Sequence, residues 1–149
     1  MTPAALAIAA GVALSALPAL PWYAVRSPSV DRTASGLAGS GELWILPLLG
    51  LTAVAIGLLL AFGAPREPEV IQGHGVLLVA LAVLAAFWCV RNLVDPPARL
   101  LLVEDGPAPV PAPVALEPAA LAAPVAIGIL AVAGLALARP QRAGRARRR

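Results

Sequence analysis

Apolar residues in this chain do not alternate with polar ones; they come in four long runs divided by polar, proline-rich or glycine-rich stretches. The runs cover about 3–22, 43–63, 75–94 and 118–138. Each is close to the roughly 20 residues that a helix, rising about 1.5 Å per residue, needs to cross about 30 Å of hydrocarbon. None carries a charge before its ends except Arg91, in the last turn of the third. Backbone groups in lipid must bond within their own segment, so helices are expected rather than open strands. The pattern predicts an all-α integral membrane fold over 1–138, with four antiparallel transmembrane helices in an up-down-up-down bundle.

Composition makes lipid the solvent that fits. Of 149 residues, 60% are hydrophobic and 13% charged, with mean hydropathy +0.86. A soluble domain holds about 45–50% apolar and about 25% charged residues, and one of this size leaves much of its surface in water. The first run could be read as a secretory signal, but no basic residue precedes it and its small-residue cleavage sites are poor. It is expected to stay as a helix.

The net charge of +3 belongs to one short segment. Residues 139–149 hold six arginines (Arg139, Arg142, Arg145, Arg147, Arg148 and Arg149) and no acid, whereas the remainder has five arginines against eight acids. A tail of this kind resists translocation, which places both termini in the cytoplasm of a multi-pass plasma-membrane protein. There it would act as a membrane-surface anchor, each arginine gaining about 1 kcal/mol beside anionic lipid headgroups. Nothing accompanies the basic run that would read nucleic acid. With this orientation Arg66 joins the tail inside, and Arg26, Arg32, Arg91 and Arg99 lie outside.

Aromatic placement agrees with that orientation. Trp22 and Tyr23 end the first run, Trp44 opens the second, and Phe87 and Trp88 lie near the end of the third. All fall at the outer interface, where rings with one apolar and one polar edge settle. Trp22, Tyr23, Trp44, Trp88, Arg91 and Asp95 form the candidate outer-face interaction rim, with Arg91 expected to pair with Asp95 one turn on.

The loops are read as connectors. The first outer loop, 24–42, is too short and polar for a domain, with Ser27-Pro28-Ser29-Val30 as its extended stretch. The inner loop, 64–74, is a plain link ending at His74. In the second outer loop, Asp95-Pro96-Pro97 ends the third helix. Leu100-Leu101-Leu102-Val103 reads as a short strand or a surface segment, and 107–113 as a polyproline II spacer.

Chemistry is sparse. No ionisable group lies at mid-membrane, the usual mark of a proton or ion path. A single cysteine, Cys89, excludes an intrachain disulfide and a cysteine metal cage. The one histidine, His74, sits at the inner edge, away from any nucleophile. No catalytic residue, cofactor or metal ligand is assigned, and no enzyme is expected. Small residues at helical spacing offer packing seams: Ala9 with Ala13, Ala53 with Gly57 and Ala61, Ala82 with Ala86, and Ala122 with Ala126.

Leu20-Pro21-Trp22-Tyr23 closing the first helix, Leu43-Trp44 opening the second, and Arg91 followed by Asp95-Pro96-Pro97 form a recurring plan. The chain resembles small four-span proteins of high-GC actinobacteria, including the uncharacterised membrane proteins found near tryptophan-synthesis genes. The resemblance implies a four-helix membrane protein and supplies no catalytic residues. The leading expectation is a non-enzymatic scaffold or accessory subunit, joined to a membrane-protein partner or to further copies of itself. The alternative is a transporter or pore for a small uncharged solute, drawing on Ser15 and Thr52.

Overall fold

Thr2 starts the first helix. Its Oγ1 accepts from the Ala5 N–H at 3.3 Å, and Pro3 occupies the first helical position, where a missing N–H costs nothing. This helix, α1 (Pro3–Ala16), tightens into a 3₁₀ turn at Leu17–Ala19 and then stops. Pro18 cannot donate to the preceding turn, and Pro21 holds Leu20 extended (φ −81°, ψ 165°). The chain continues as strand β1 (Pro21–Arg26), strand β2 (Asp31–Ser35), a single helical turn α2 (Gly36–Gly39) and helix α3 (Ile45–Phe62). Helix α4 (Pro68–Val94), strands β3 (Leu102–Glu104), β4 (Pro109–Pro111) and β5 (Val114–Leu116), and helix α5 (Pro118–Ala138) complete it. The computed structural model describes residues 1–26, 31–40, 42–63, 67–95, 102–104, 109–111 and 114–139.

The molecule is mostly helical, and three of its helices (α3, α4 and α5) are long and apolar enough to cross a membrane. Three departures from the sequence expectation follow from local chemistry. The first helix ends before Trp22, because Leu20–Pro21 breaks it where hydropathy alone does not. The third helix begins at Pro68 rather than near residue 75: Pro68 sits at its start and Glu69 in its first turn, where a carboxylate favours the positive end of the helix dipole. The fold is also not all-α. A three-stranded antiparallel sheet, ordered β2-β1-β5, and a β3–β4 pair occupy the stretches read as connectors. The polyproline reading of 107–113 thus gives way at Pro109–Pro111, which pairs with Leu102–Glu104. Ser27–Val30 and Arg142, Arg145, Arg147, Arg148 and Arg149 of the tail lie outside the described residues.

The helices run alternately between two ends. At one, Thr2 and Pro3 of the chain start meet Leu60 of α3, Ile71 of α4 and Leu137 of α5 around a cavity of about 340 Å³. At the other, the end of α1, the start of α5 and the end of α4 meet the sheet, and the Arg91–Glu42 pair joins α4 to the approach to α3. Helix α1 lies against both α3 and α5, and α4 packs chiefly on α5.

Lipid tails are as apolar as leucine, so helices in a bilayer associate by close packing rather than by hydrophobic exclusion. The seams here are built on glycine. A Cβ at Gly50 would lie 2.5 Å from the Gly11 carbonyl oxygen and from Ser15 Oγ, and one at Gly11 would lie 2.6 Å from the Gly50 carbonyl. Gly75 and Gly134 bring α4 against α5 in the same way, a Cβ on either falling 2.8 Å from the other's carbonyl. Ser15 Oγ lies 2.9 Å from the Gly11 carbonyl and 3.3 Å from that of Pro47, so its proton is shared between α1 and α3. Along α4 the buried residues Gly75, Leu78, Ala82, Ala85, Cys89 and Asn92 recur at intervals of three and four, the spacing of a left-handed bundle seam. Of the alanine seams expected from sequence, Ala53 with Gly57 and Ala82 are buried, while Ala9 and Ala61 face outward.

Replacing Gly50 by leucine should cost about 1–3 kcal/mol through forced separation of α1 and α3. Beyond its own stretch of helix backbone, Gly128 has no described atom within 4 Å of where a Cβ would stand. Gly128→Ala should be neutral or up to about 1 kcal/mol stabilising, since alanine is the better helix former. Reversible unfolding of both variants in mixed micelles measures the contrast.

Candidate functional site

The end of the bundle covered by the sheet gathers most of the polar and aromatic side chains. Strand β1 threads its centre, with Trp22 to Val25 buried and both ends exposed. A β-bulge between Pro21 and Tyr23 inserts Trp22 as an extra residue, since Pro21 pairs with Ser35 and Tyr23 with Ala34. Regular alternation would send neighbouring side chains to opposite faces; the bulge re-aims them. Trp22 and Tyr23 both end fully buried, at 0% exposure. On its other side β1 pairs with β5, Tyr23 opposite Leu116 and Val25 opposite Val114. The Glu117 N–H donates to the Trp22 carbonyl at 2.9 Å, so the start of α5 is tied directly to the strand.

Each buried polar atom in this layer has a partner. The Trp22 indole N–H donates to the Leu17 carbonyl at 2.7 Å, a group that the 3₁₀ turn leaves open to a second donor. Gly36 lets the α2 turn lie close on the indole, because a Cβ there would stand 3.1 Å from Trp22 Cδ2 and from the Pro18 carbonyl. The Tyr23 hydroxyl donates to the Asn92 carbonyl at 3.2 Å, and Asn92 Nδ2 donates to the Trp88 carbonyl at 2.9 Å. Cys89, one turn below Asn92, is buried beside Tyr23. Burial, with the neighbouring cysteine sulfur adding to it, pushes the Tyr23 phenol up to about 12.

Around this layer runs an exposed rim. Trp44 is 57% exposed at the start of α3. Trp88 is half-buried, edge-on to Phe87 at 5.5 Å, and the Arg91 guanidinium lies over its indole at 5.2 Å. Arg91 pairs with Glu42 at 3.2 Å, and Arg26 with Glu117 at 3.0 Å. Both pairs are solvent-facing, where each contributes at most about 1 kcal/mol. They join elements distant in sequence: the approach to α3 with α4, and β1 with the start of α5.

The rim read from the sequence is therefore divided. Trp44, Trp88, Arg91 and Asp95 stand at the surface of one end of the bundle. Trp22 and Tyr23 do not, because β1 folds inward beneath its neighbours and they become the core of the sheet layer. Arg91 turns to Glu42 on another element instead of forming the expected helical pair with Asp95. Sequence reasoning missed Asn92 and Glu42; the first is a polar residue on the buried stripe of an apolar helix, a signal visible once that stripe is counted. Arg139, the described residue of the basic tail, caps α5 at the opposite end and is exposed. Among the described residues no three His, Cys, Asp or Glu side chains come together as a metal site.

Tyr23 is the only tyrosine in the chain, so its titration can be read directly. Tyrosinate absorbance should rise near pH 12 in the folded protein and near the ordinary value of about 10 after unfolding. The folded state holds the proton more tightly, so this group's contribution to stability is full below about pH 10 and is lost as pH rises towards 12. Tyr23→Phe should remove that loss of stability.

No family model matches the chain, and neither the curated proteins nor the solved structures include a significant match to it.

Proposed function

We propose that the chain is a four-span integral membrane protein of the plasma membrane, with both ends cytoplasmic, and that it works without catalysis as a scaffold or accessory subunit. Support for the spans comes from the outward faces of the helices. Leu48, Leu51, Leu59, Val83, Phe87, Val125 and Val132 all project from the bundle. Such a girdle far exceeds the apolar patches of soluble proteins. The first helix is short, but Pro3–Ala19 with its 3₁₀ turn rises about 27 Å, the same as the 18 residues of α3. Helix α1 is held between α3 and α5, so the medium that surrounds those two surrounds α1 also.

The observation that carries the scaffold reading is where the polar side chains go. Among the described residues the buried polar ones are Ser40 and Asn92, both in the sheet-bearing end. The Ser15 hydroxyl is committed to the α1–α3 seam, and the Thr52 hydroxyl donates to the Leu48 carbonyl at 2.8 Å on the outer face of α3. The two hydroxyls that a solute path would draw on are thus spent on helix carbonyls. What remains available is surface: the Trp44–Trp88–Arg91 rim outside and the arginine tail against anionic headgroups inside. The likeness to small four-span actinobacterial proteins fits this reading.

Alkaline washing should leave the protein in the membrane pellet, and protease added to intact cells should spare the C-terminal tail. A photo-crosslinking residue in place of Trp44 should capture a membrane partner or a second copy. A strictly monomeric product, with no adduct in native membranes, would remove the scaffold reading.

A further inference from the structure

We infer that the bundle consists of two helix pairs, α1 with α3 and α4 with α5, which swing as units about the sheet-bearing end and part at the other. The inference rests on the helices spanning a bilayer, because only there do acyl chains surround the joint between the pairs.

The glycines of the long helices define the units. Gly11 and Gly50 bring α1 and α3 together backbone to backbone, and Gly57 lies against Ile8 further along the same seam. Gly75 and Gly134 do the same for α4 and α5. No described glycine of the four long helices brings α1 against α5, or α3 against α4, in this way. Helices α1 and α5 do pack on each other, but through side chains. Acyl chains are as apolar as those side chains and replace their contacts at little cost. A seam in which one helix's carbonyl fills the place of the other's Cβ has no such substitute.

The polar ties between the halves gather at one end. Strand β1 pairs with β5, the Glu117 N–H donates to the Trp22 carbonyl, and the Tyr23 hydroxyl donates to the Asn92 carbonyl. The Arg26–Glu117 and Arg91–Glu42 pairs cross the same boundary. Among the described residues no hydrogen bond or ion pair joins the halves at the opposite end. There the walls of the cavity of about 340 Å³ are divided between them, Pro3 and Leu60 on one side, Ile71 and Leu137 on the other. Two rigid units fastened at one end and parted by a cavity at the other have the layout of a hinge. A rotation of about 10° on a lever of about 27 Å would carry the far ends about 5 Å apart. The step from Gly63 to Glu67 reaches at most about 14 Å, which bounds the opening.

Pulsed electron spin resonance on the full-length protein, one copy per nanodisc, tests this through pairs of spin labels on outward-facing positions. The buried Cys89 is replaced by alanine so that only introduced cysteines carry label. Leu59→Cys with Leu135→Cys reads across the halves at the cavity end, and Leu48→Cys with Leu121→Cys reads across them at the sheet end. Val76→Cys with Leu135→Cys reads within the α4–α5 pair. The expected result is two Leu59–Leu135 populations about 5 Å apart, the scale of a small domain rotation, with a single narrow population for each of the other two pairs. A Leu59–Leu135 distribution as narrow as both controls, or equal broadening of all three, would overturn the hinge. A protein that stays outside the discs would instead remove the spanning reading, and the hinge with it.

Discussion

The contact on which the rest depends is the approach of two backbones, α1 against α3, at Gly11 and Gly50. Helix α1 is the shortest of the four long apolar segments and has no charged residue to hold its depth, so its place is set by what it touches. Removing both Cβ atoms lets carbonyl oxygens of one helix sit where side chains of the other would stand. The Ser15 hydroxyl then bridges to Pro47 across the same seam. With α1 fixed there, its other face meets α5, and the 3₁₀ turn at its end delivers Pro21 to the point where β1 must start. Gly75 and Gly134 repeat the device between α4 and α5 near the other end of the bundle. Each seam therefore ties a different pair of helices, at a different depth.

The sheet follows from the first seam and from a rule about backbones. Non-helical chain leaves N–H and C=O groups without partners, and lipid supplies none. When Leu20–Pro21 ends α1, the chain must find bonds at once, and it finds them in β2 on one side and β5 on the other. Glu117 then links the strand to α5, and the Tyr23 hydroxyl links it to the end of α4. One strand thus touches the ends of all but one of the long helices, and the Arg91–Glu42 pair reaches the remaining one.

Much of this was legible in the residues and some was not, for identifiable reasons. The long apolar helices were legible because hydropathy needs no knowledge of neighbours. The end of the first was misplaced because Trp22, Tyr23, Ala24 and Val25 are as apolar as the helix before them; only the restriction that Pro21 places on Leu20 marks the break. The early start of α4 was carried by Pro68 and Glu69, which read equally well as loop until the helix following them is counted through. Burial of Trp22 and Tyr23 depends on strands about ten and about ninety residues away, and no local periodicity encodes such a pairing. The tight seams were obscured by abundance: alanine is everywhere in this chain, and the decisive positions were the glycines.

One difference between the helices has a mechanical consequence. Helix α3 rises about 27 Å and α4 about 40 Å for their 18 and 27 residues, and the two share a level at the Arg91–Glu42 pair. Part of the surplus lies past that level, at Asn92–Val94, and part at the other end, where Pro68 and Glu69 start α4 ahead of Ile71, the residue that meets Leu60 of α3. The shorter helix sets the thickness that the whole bundle accepts. A thick bilayer would draw Glu42 towards acyl chains, whereas a thin one is matched without tilt. In a bilayer-spanning bundle of the kind proposed, hydrophobic mismatch would then favour the thinner regions of the membrane.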